Sequence, residues 1–134
     1  MPHKDPEAFK EYHRNYNLIN RDRISARNKA YRLRNLAKLR RDGREYCLLV
    51  KQEAINRFGG SCSCCGESRL IFLAIDHVNG DGHTHRKRLS MSQSGGRAFY
   101  AKLKRNNWKS EFELQVLCHN CHFAKAAGPC PHRD

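Results

Sequence analysis

Nowhere does the sequence run to the roughly 18 consecutive apolar residues that a membrane-spanning helix needs; its longest apolar stretches are short ones such as Leu70 to Ile75. That lack excludes a helical bilayer span. The opening residues Met1 to Lys10 are polar and hold no apolar stretch of the secretory type, so the expected location is the cytoplasm, a reducing compartment. Acidic residues are scarce, thirteen Asp and Glu against twenty-six Lys and Arg, for a formal charge of +13. Such an excess attracts polyanions. No strongly apolar helix face accompanies the basic residues, which disfavours an anionic membrane and leaves nucleic acid as the expected partner. Apolar residues are also few, at 39% of 134 residues and a mean hydropathy of −0.85. A chain with room for one modest domain and an appendage, and so little to bury, needs a staple besides its core.

What the chain does have is cysteine, seven in all, and in a reducing compartment cysteines are read as metal ligands before disulfides. Cys62-Ser63-Cys64-Cys65-Gly66 and Cys118-His119-Asn120-Cys121 each contain the Cys-x-x-Cys spacing that lets a tight turn aim two thiolates at one tetrahedral ion. Cys62, Cys65, Cys118 and Cys121 are assigned to one structural Zn²⁺, with Cys64 directed elsewhere because adjacent residues diverge in a knuckle turn; a register through Cys64 stays open. Cys47 reads as an ordinary core or surface residue. Cys130 and His132, in Gly128-Pro129-Cys130-Pro131-His132, could ligate a second ion, although two ligands alone make a weak site.

Neither Gly nor Pro occurs from Glu7 to Asp42, a segment rich in Arg, Lys, Asn and Tyr, which predicts one long helix or two shorter ones with a break at Asn20 to Asp22. Its apolar residues are thin, with Tyr12, Tyr16 and Ile19 on one stripe and Ala26, Ala30, Leu33 and Leu36 or Ala37 on another. The pattern suits a basic arm, residues 1–45, more than a core element. From Met1 to Arg57 fifteen Lys and Arg face seven Asp and Glu, and Arg27, Arg34, Arg40 and Arg41 are candidate phosphate grips. The Tyr12 and Tyr31 neighbourhoods are weakly alike, a hint of a repeat.

Asp42-Gly43 signals a turn, after which Tyr46, Leu49, Val50, Glu53, Ala54 and Phe58 trace an amphipathic helix ending at Gly59-Gly60. An apolar strand, Ile71 to Ile75, follows the first cysteine knuckle. A Gly- and His-rich loop, Asn79 to Gly96, leads to a short helix, Ala98 to Asn106, and a second strand, Glu113 to Leu117; a last helix starts near Cys118 and stops before Gly128-Pro129. The expected class is α+β, with residues 46–134 forming a zinc-stapled, treble-clef-like module behind the basic helical arm.

Asp76-His77 closes the first strand, where a turn can set the carboxylate on a metal and the imidazole on an attacking water. His122, directly after the second knuckle, lies outside the four-thiolate set and offers a second ligand to a hard cation. Phosphodiester hydrolysis needs a base to activate water and a metal to stabilise charge; Asp76, His77 and His122 meet that need. In the loop, His85, Arg86 and Arg88 are the expected phosphate contacts, ahead of a Ser/Gly stretch from Ser90 to Gly96. Trp108 and Phe99-Tyr100 read as packing residues.

Cys-x-x-Cys, then Asp-His-x-x-Gly, then Leu-Cys-x-x-Cys-His, in that order from Cys62 to about Lys125, resembles the HNH (ββα-metal) endonuclease family, in its zinc-bearing branch of the phage endonuclease VII type. The resemblance implies a β-hairpin and helix clamped by zinc, and one Mg²⁺ or Mn²⁺ ion in the cleft. It implies Asp76 and His122 as ligands of that ion and His77 as general base. The Asn that usually precedes the family's second strand is replaced here by Glu113-Leu114-Gln115, with Asn79 or Asn120 as candidate substitutes. The implied activity is hydrolysis of DNA, branched or nicked DNA included and RNA not excluded, in a host-cell cytoplasm if the chain is phage-encoded; the oligomeric state is open, a homodimer included. The alternatives are a non-catalytic zinc module that binds nucleic acid, and a ribosomal-type treble-clef RNA binder.

Overall fold

The computed structural model of the protein describes residues 5–89, 96–128 and 130–133. The polar opening Met1 to Lys4 and the 90–95 part of the Ser/Gly stretch lie outside the described residues. The chain divides into two compact units, Met1–Gly43 and Arg44–Asp134.

The first unit is built from α1 (Pro6–Ile19), α2 (Arg21–Arg34) and the start of α3 (Leu36–Arg57). Asp5 caps α1, its carboxylate accepting from the Glu7 N–H at 2.9 Å, and Pro6 follows it with no N–H to leave unpaired. The break expected near Asn20 is present, and the structure adds a second one at Asn35. Both have the same local cause. The Asn20 side-chain amide donates to the Tyr16 carbonyl at 2.9 Å, and that of Asn35 donates to the Tyr31 carbonyl at 2.8 Å. In each case a short polar side chain competes with the helical backbone for its own carbonyls. None of residues 5–43 is buried. The unit holds together through local contacts such as the Tyr12–Tyr16 stack and the Arg23 bond to the Tyr16 hydroxyl at 3.1 Å.

Asp42-Gly43 forms no turn, for α3 runs through it. A lone Gly costs a helix about 1 kcal/mol against Ala, less than the bonds on either side of it supply. The helix ends where expected. Gly60, at φ 77°, donates its N–H to the Ile55 carbonyl at 2.8 Å and closes the last turn in a conformation that side chains disfavour.

In the second unit a 3₁₀ turn (Leu70–Phe72) feeds β1 (Leu73–His77), so the strand begins two residues later than its apolar run. Then come α4 (Gly82–Arg88), α5 (Gly96–Arg105), β2 (Leu114–Cys118), α6 (His119–Ala127) and a 3₁₀ turn (Pro131–Arg133). The expected Asn79–Gly96 loop therefore contains a helix, whose seven residues include His83 and His85. β1 and β2 pair antiparallel, with Leu73 opposite Cys118, Ile75 opposite Val116, Asp76 opposite Gln115 and His77 opposite Leu114. The class is α+β.

Among the described residues, two small clusters form the core. One joins Ile55, Leu73, Val116 and Leu117 with Cys62, Cys118, Cys121 and Cys130; the other joins Val50 and Ala54 of α3 with Phe99, Tyr100 and Leu103 of α5. Tyr46 and Leu49, expected on the packed stripe of α3, are exposed, and Ile55 takes the buried place. Trp108 packs against the second cluster, and the Tyr100 hydroxyl accepts the Ile75 N–H at 3.2 Å, tying α5 to β1.

A Cβ built on Gly43 meets nothing within 4 Å. Gly43→Ala should therefore stabilise α3 by about 0.5–1 kcal/mol, read as increased helical signal at 222 nm in a thermal melt; unchanged or lower helicity would mean that the segment bends at Gly43.

Candidate functional site

The first knuckle is a turn fixed by the backbone. Gly66, at φ 78°, donates to the Cys62 carbonyl at 2.9 Å, and Cys62 donates to the Glu67 carbonyl at 2.8 Å. Ser63 ties this turn to β2 twice, its N–H to the Val116 carbonyl at 2.9 Å and its hydroxyl to Gln115 Oε1 at 2.9 Å. At the end of β2, Cys118 becomes the N-cap of α6 and its sulfur accepts the Cys121 N–H at 3.4 Å. The result brings the ligand atoms of Cys62, Cys65, Cys118 and Cys121 within 4.8 Å of one another. Cys65 and Cys118 are 3.7 Å apart at sulfur, close to the edge of about 3.8 Å that a tetrahedron with 2.3 Å metal–sulfur bonds requires. Burial opposes ionisation of Cys62, but backbone N–H groups of Cys65, Cys118 and Cys64 outweigh it and bring the thiol to about 6. Burial pushes the Cys121 thiol upward. The cluster can hold a metal ion.

A second constellation is joined to the first knuckle through the Gln115 amide. Asp76, 7% exposed, accepts from Gln115 Nε2 at 2.9 Å and from Lys125 Nζ at 2.6 Å, and its other oxygen is 3.3 Å from His122 Nε2. Lys125 also donates to the His77 carbonyl. The strand register sets Gln115 opposite Asp76, and one helical turn from His122 to Lys125 presents both side chains to the same carboxylate. Neither Gln115 nor Lys125 stands out in the sequence as a site residue. The register and the i,i+3 spacing are the available signals, but both become informative only once β2 and α6 have been aligned with β1. Asn79 and Asn120 are exposed, and the amide that holds Asp76 is Gln115.

His77 is buried at 7% exposure, its ring among those of His85, Phe99 and Phe112. Its Nε2 lies 2.8 Å from His85 Nδ1, so one ring donates and the other accepts. On the opposite side its Nδ1 faces Gly82, where an added Cβ would stand 3.0 Å from it. Asp76, His77 and His122 line one cleft of about 620 Å³, together with His83, Arg86 and Lys125.

The phosphate contacts expected from sequence divide. Arg86 is exposed at the cleft. His85 is a correction: it is 3% exposed, stacks on Phe112 at 4.5 Å and bonds to His77 through Nδ1, a buried place rather than the exposed one expected of a phosphate contact. The period of α4, a helix where a loop is expected, turns it inward. Arg88 is exposed but paired with Glu111 at 2.6 Å. Arg27, Arg34, Arg40 and Arg41 are exposed in the first unit, Arg41 beside Asp42 at 3.5 Å.

Burial, then the charge on His85, lowers the His77 pKa below the ordinary 6.5. Burial also lowers His85. Asp81 pulls both upward and Arg86 pulls both downward, but burial dominates. As pH falls past 6.5 the unfolded chain takes up protons before the folded one, so stability contributed by the neutral pair is full above that pH and is lost as pH drops through the folded values. Between about pH 7.5 and 5.5, either side of the ordinary imidazole value, Tm should fall, by less in His85→Gln, which leaves one imidazole to charge; equal slopes would mean that the pair does not titrate with unfolding. Comparison of the chain with protein-family models, curated proteins and solved structures gives no match.

Proposed function

We propose that the protein is a metal-dependent HNH-type endonuclease that hydrolyses phosphodiester bonds in DNA. The observation that carries this reading is the convergence of Asp76, His77 and His122 on one cleft, with an exposed Arg86 at its wall. In this reading the β1–β2 hairpin and α6 form a ββα, treble-clef-like unit, with Zn²⁺ held by Cys62, Cys65, Cys118 and Cys121.

Asp76 and His122, whose Oδ1 and Nε2 lie 3.3 Å apart, would hold a Mg²⁺ or Mn²⁺ ion through a carboxylate oxygen and an imidazole nitrogen. When bound, the ion supplies charge stabilisation at the scissile phosphate and the leaving oxygen. His77 acts as base. In the tautomer whose Nε2–H donates to His85 Nδ1, the lone pair of the His77 Nδ1, beside Gly82, is left to take a proton from water. The lowered His77 pKa keeps that lone pair unprotonated at neutral pH. Gln115 orients the Asp76 carboxylate. Arg86 and the basic helices of the first unit hold the polyanion by charge.

One contact favours a second reading, a non-catalytic zinc module that binds nucleic acid: the Lys125 ammonium already neutralises Asp76 at 2.6 Å, where the divalent ion must bind.

Nicking of supercoiled plasmid by wild type and His77→Ala, with Mg²⁺, with Mn²⁺ and with neither, separates the two. Cutting by wild type only with added metal, and a loss of about 10²–10⁴-fold in His77→Ala with DNA affinity retained, supports the nuclease. Tight binding with no cutting of plasmid, branched DNA or RNA by either protein supports the binding module. Cys118→Ser should release zinc and unfold the second unit; a zinc-loaded variant with native circular dichroism would remove Cys118 from the ligand set.

A further inference from the structure

The thiol cluster does not end with four cysteines. Cys64, Cys130 and His132 converge on Cys121 as well, and the ligand atoms of these four residues lie within 4.8 Å of one another. His132 Nδ1 is 3.3 Å from Cys121 Sγ and 3.5 Å from Cys130 Sγ. A tetrahedral ion with metal–sulfur bonds of 2.3 Å and metal–nitrogen bonds of 2.0–2.1 Å sets a thiolate and an imidazole nitrogen about 3.6 Å apart. The Cys130-Pro131-His132 turn thus presents both donors at ligand spacing, and Cys64, which the knuckle turns away from its neighbours, supplies the third. Cys121, 1% exposed, belongs to both sets, its sulfur within 4.8 Å of the ligand atoms of Cys62, Cys65 and Cys118 in one and of Cys64, Cys130 and His132 in the other.

We infer that the protein holds two zinc ions in one cluster, bridged by the Cys121 thiolate. Two four-coordinate ions that share one ligand consume seven donors, and the two overlapping sets contain seven: Cys62, Cys65 and Cys118 on one ion, Cys64, Cys130 and His132 on the other, Cys121 on both. A single ion in either set leaves three donors crowded against it without a cation. Six thiolates, a neutral imidazole and two Zn²⁺ carry a net charge of −2, the same as one ion in four thiolates, so the second ion adds no uncompensated charge. It also fastens the chain beyond α6 to the first knuckle. The inference extends the zinc staple and is independent of whether the Asp76–His77–His122 cleft is catalytic.

The test is zinc content of the untagged full chain, saturated with Zn²⁺ under reducing conditions and cleared of loose metal, followed by ¹¹³Cd NMR after replacement. Two zinc ions per chain are expected, with two ¹¹³Cd resonances split by coupling through the shared sulfur. Cys130→Ala/His132→Ala should hold one ion and keep its helical signal, whereas Asp76→Ala should still hold two. One ion per wild-type chain overturns the cluster and leaves the single staple; none overturns both. Two uncoupled resonances overturn the bridge, and a second ion retained by the double variant but lost in Asp76→Ala belongs to the cleft instead. Should the double variant fail to fold, the wild-type stoichiometry and coupling decide the matter.

Discussion

The close approach of the two Cys-x-x-Cys turns is the contact on which the second unit depends. It brings Cys62 and Cys65 against Cys118 and Cys121, joining segments that are more than fifty residues apart in sequence, and a sheet of two strands has little else to close that distance. Four of the eight buried residues in the first cluster are cysteines, so three of the four staple thiols, those of Cys62, Cys118 and Cys121, also belong to the hydrophobic core. Thiols this close repel as thiolates, and only a cation turns that repulsion into attraction.

From this contact the cleft follows geometrically. Cys118 closes β2 and opens α6, so whatever fixes Cys118 also fixes the start of the helix. His122 and Lys125 then reach Asp76 from one face, and the β1–β2 register sets Gln115 beside it. A buried carboxylate is costly unless paired. Asp76 meets that requirement with an amide and an ammonium. The His77–His85 pair uses the opposite device, burial that keeps two imidazoles neutral.

Much of the layout is legible in the sequence because it depends on short-range patterns. The Asn20 break, the Gly59-Gly60 stop and the α6 start at the second knuckle are set by residues within a turn of the feature. Gly43 and α4 are not legible, since helix continuation through Gly depends on flanking bonds and α4 has no apolar stripe beyond what His85 supplies. The burial of His85 is hidden for that reason: in a loop an imidazole among arginines faces solvent, while on α4 the same residue turns under Phe112 and against His77.

The sequence by itself determined the charge, the number and spacing of the thiols, and the adjacency of Asp76 to His77, because these are properties of covalent order. Tertiary structure alone decided that Gln115 and Lys125 share Asp76, that His85 supports His77, and that Cys64, Cys130 and His132 gather at Cys121. Each of these is a meeting of side chains that covalent order does not fix, and such meetings depend on strand register, helix phase and chain reversal acting together. A register shift of one residue would turn Gln115 to the other face of the sheet and leave Asp76 without its amide.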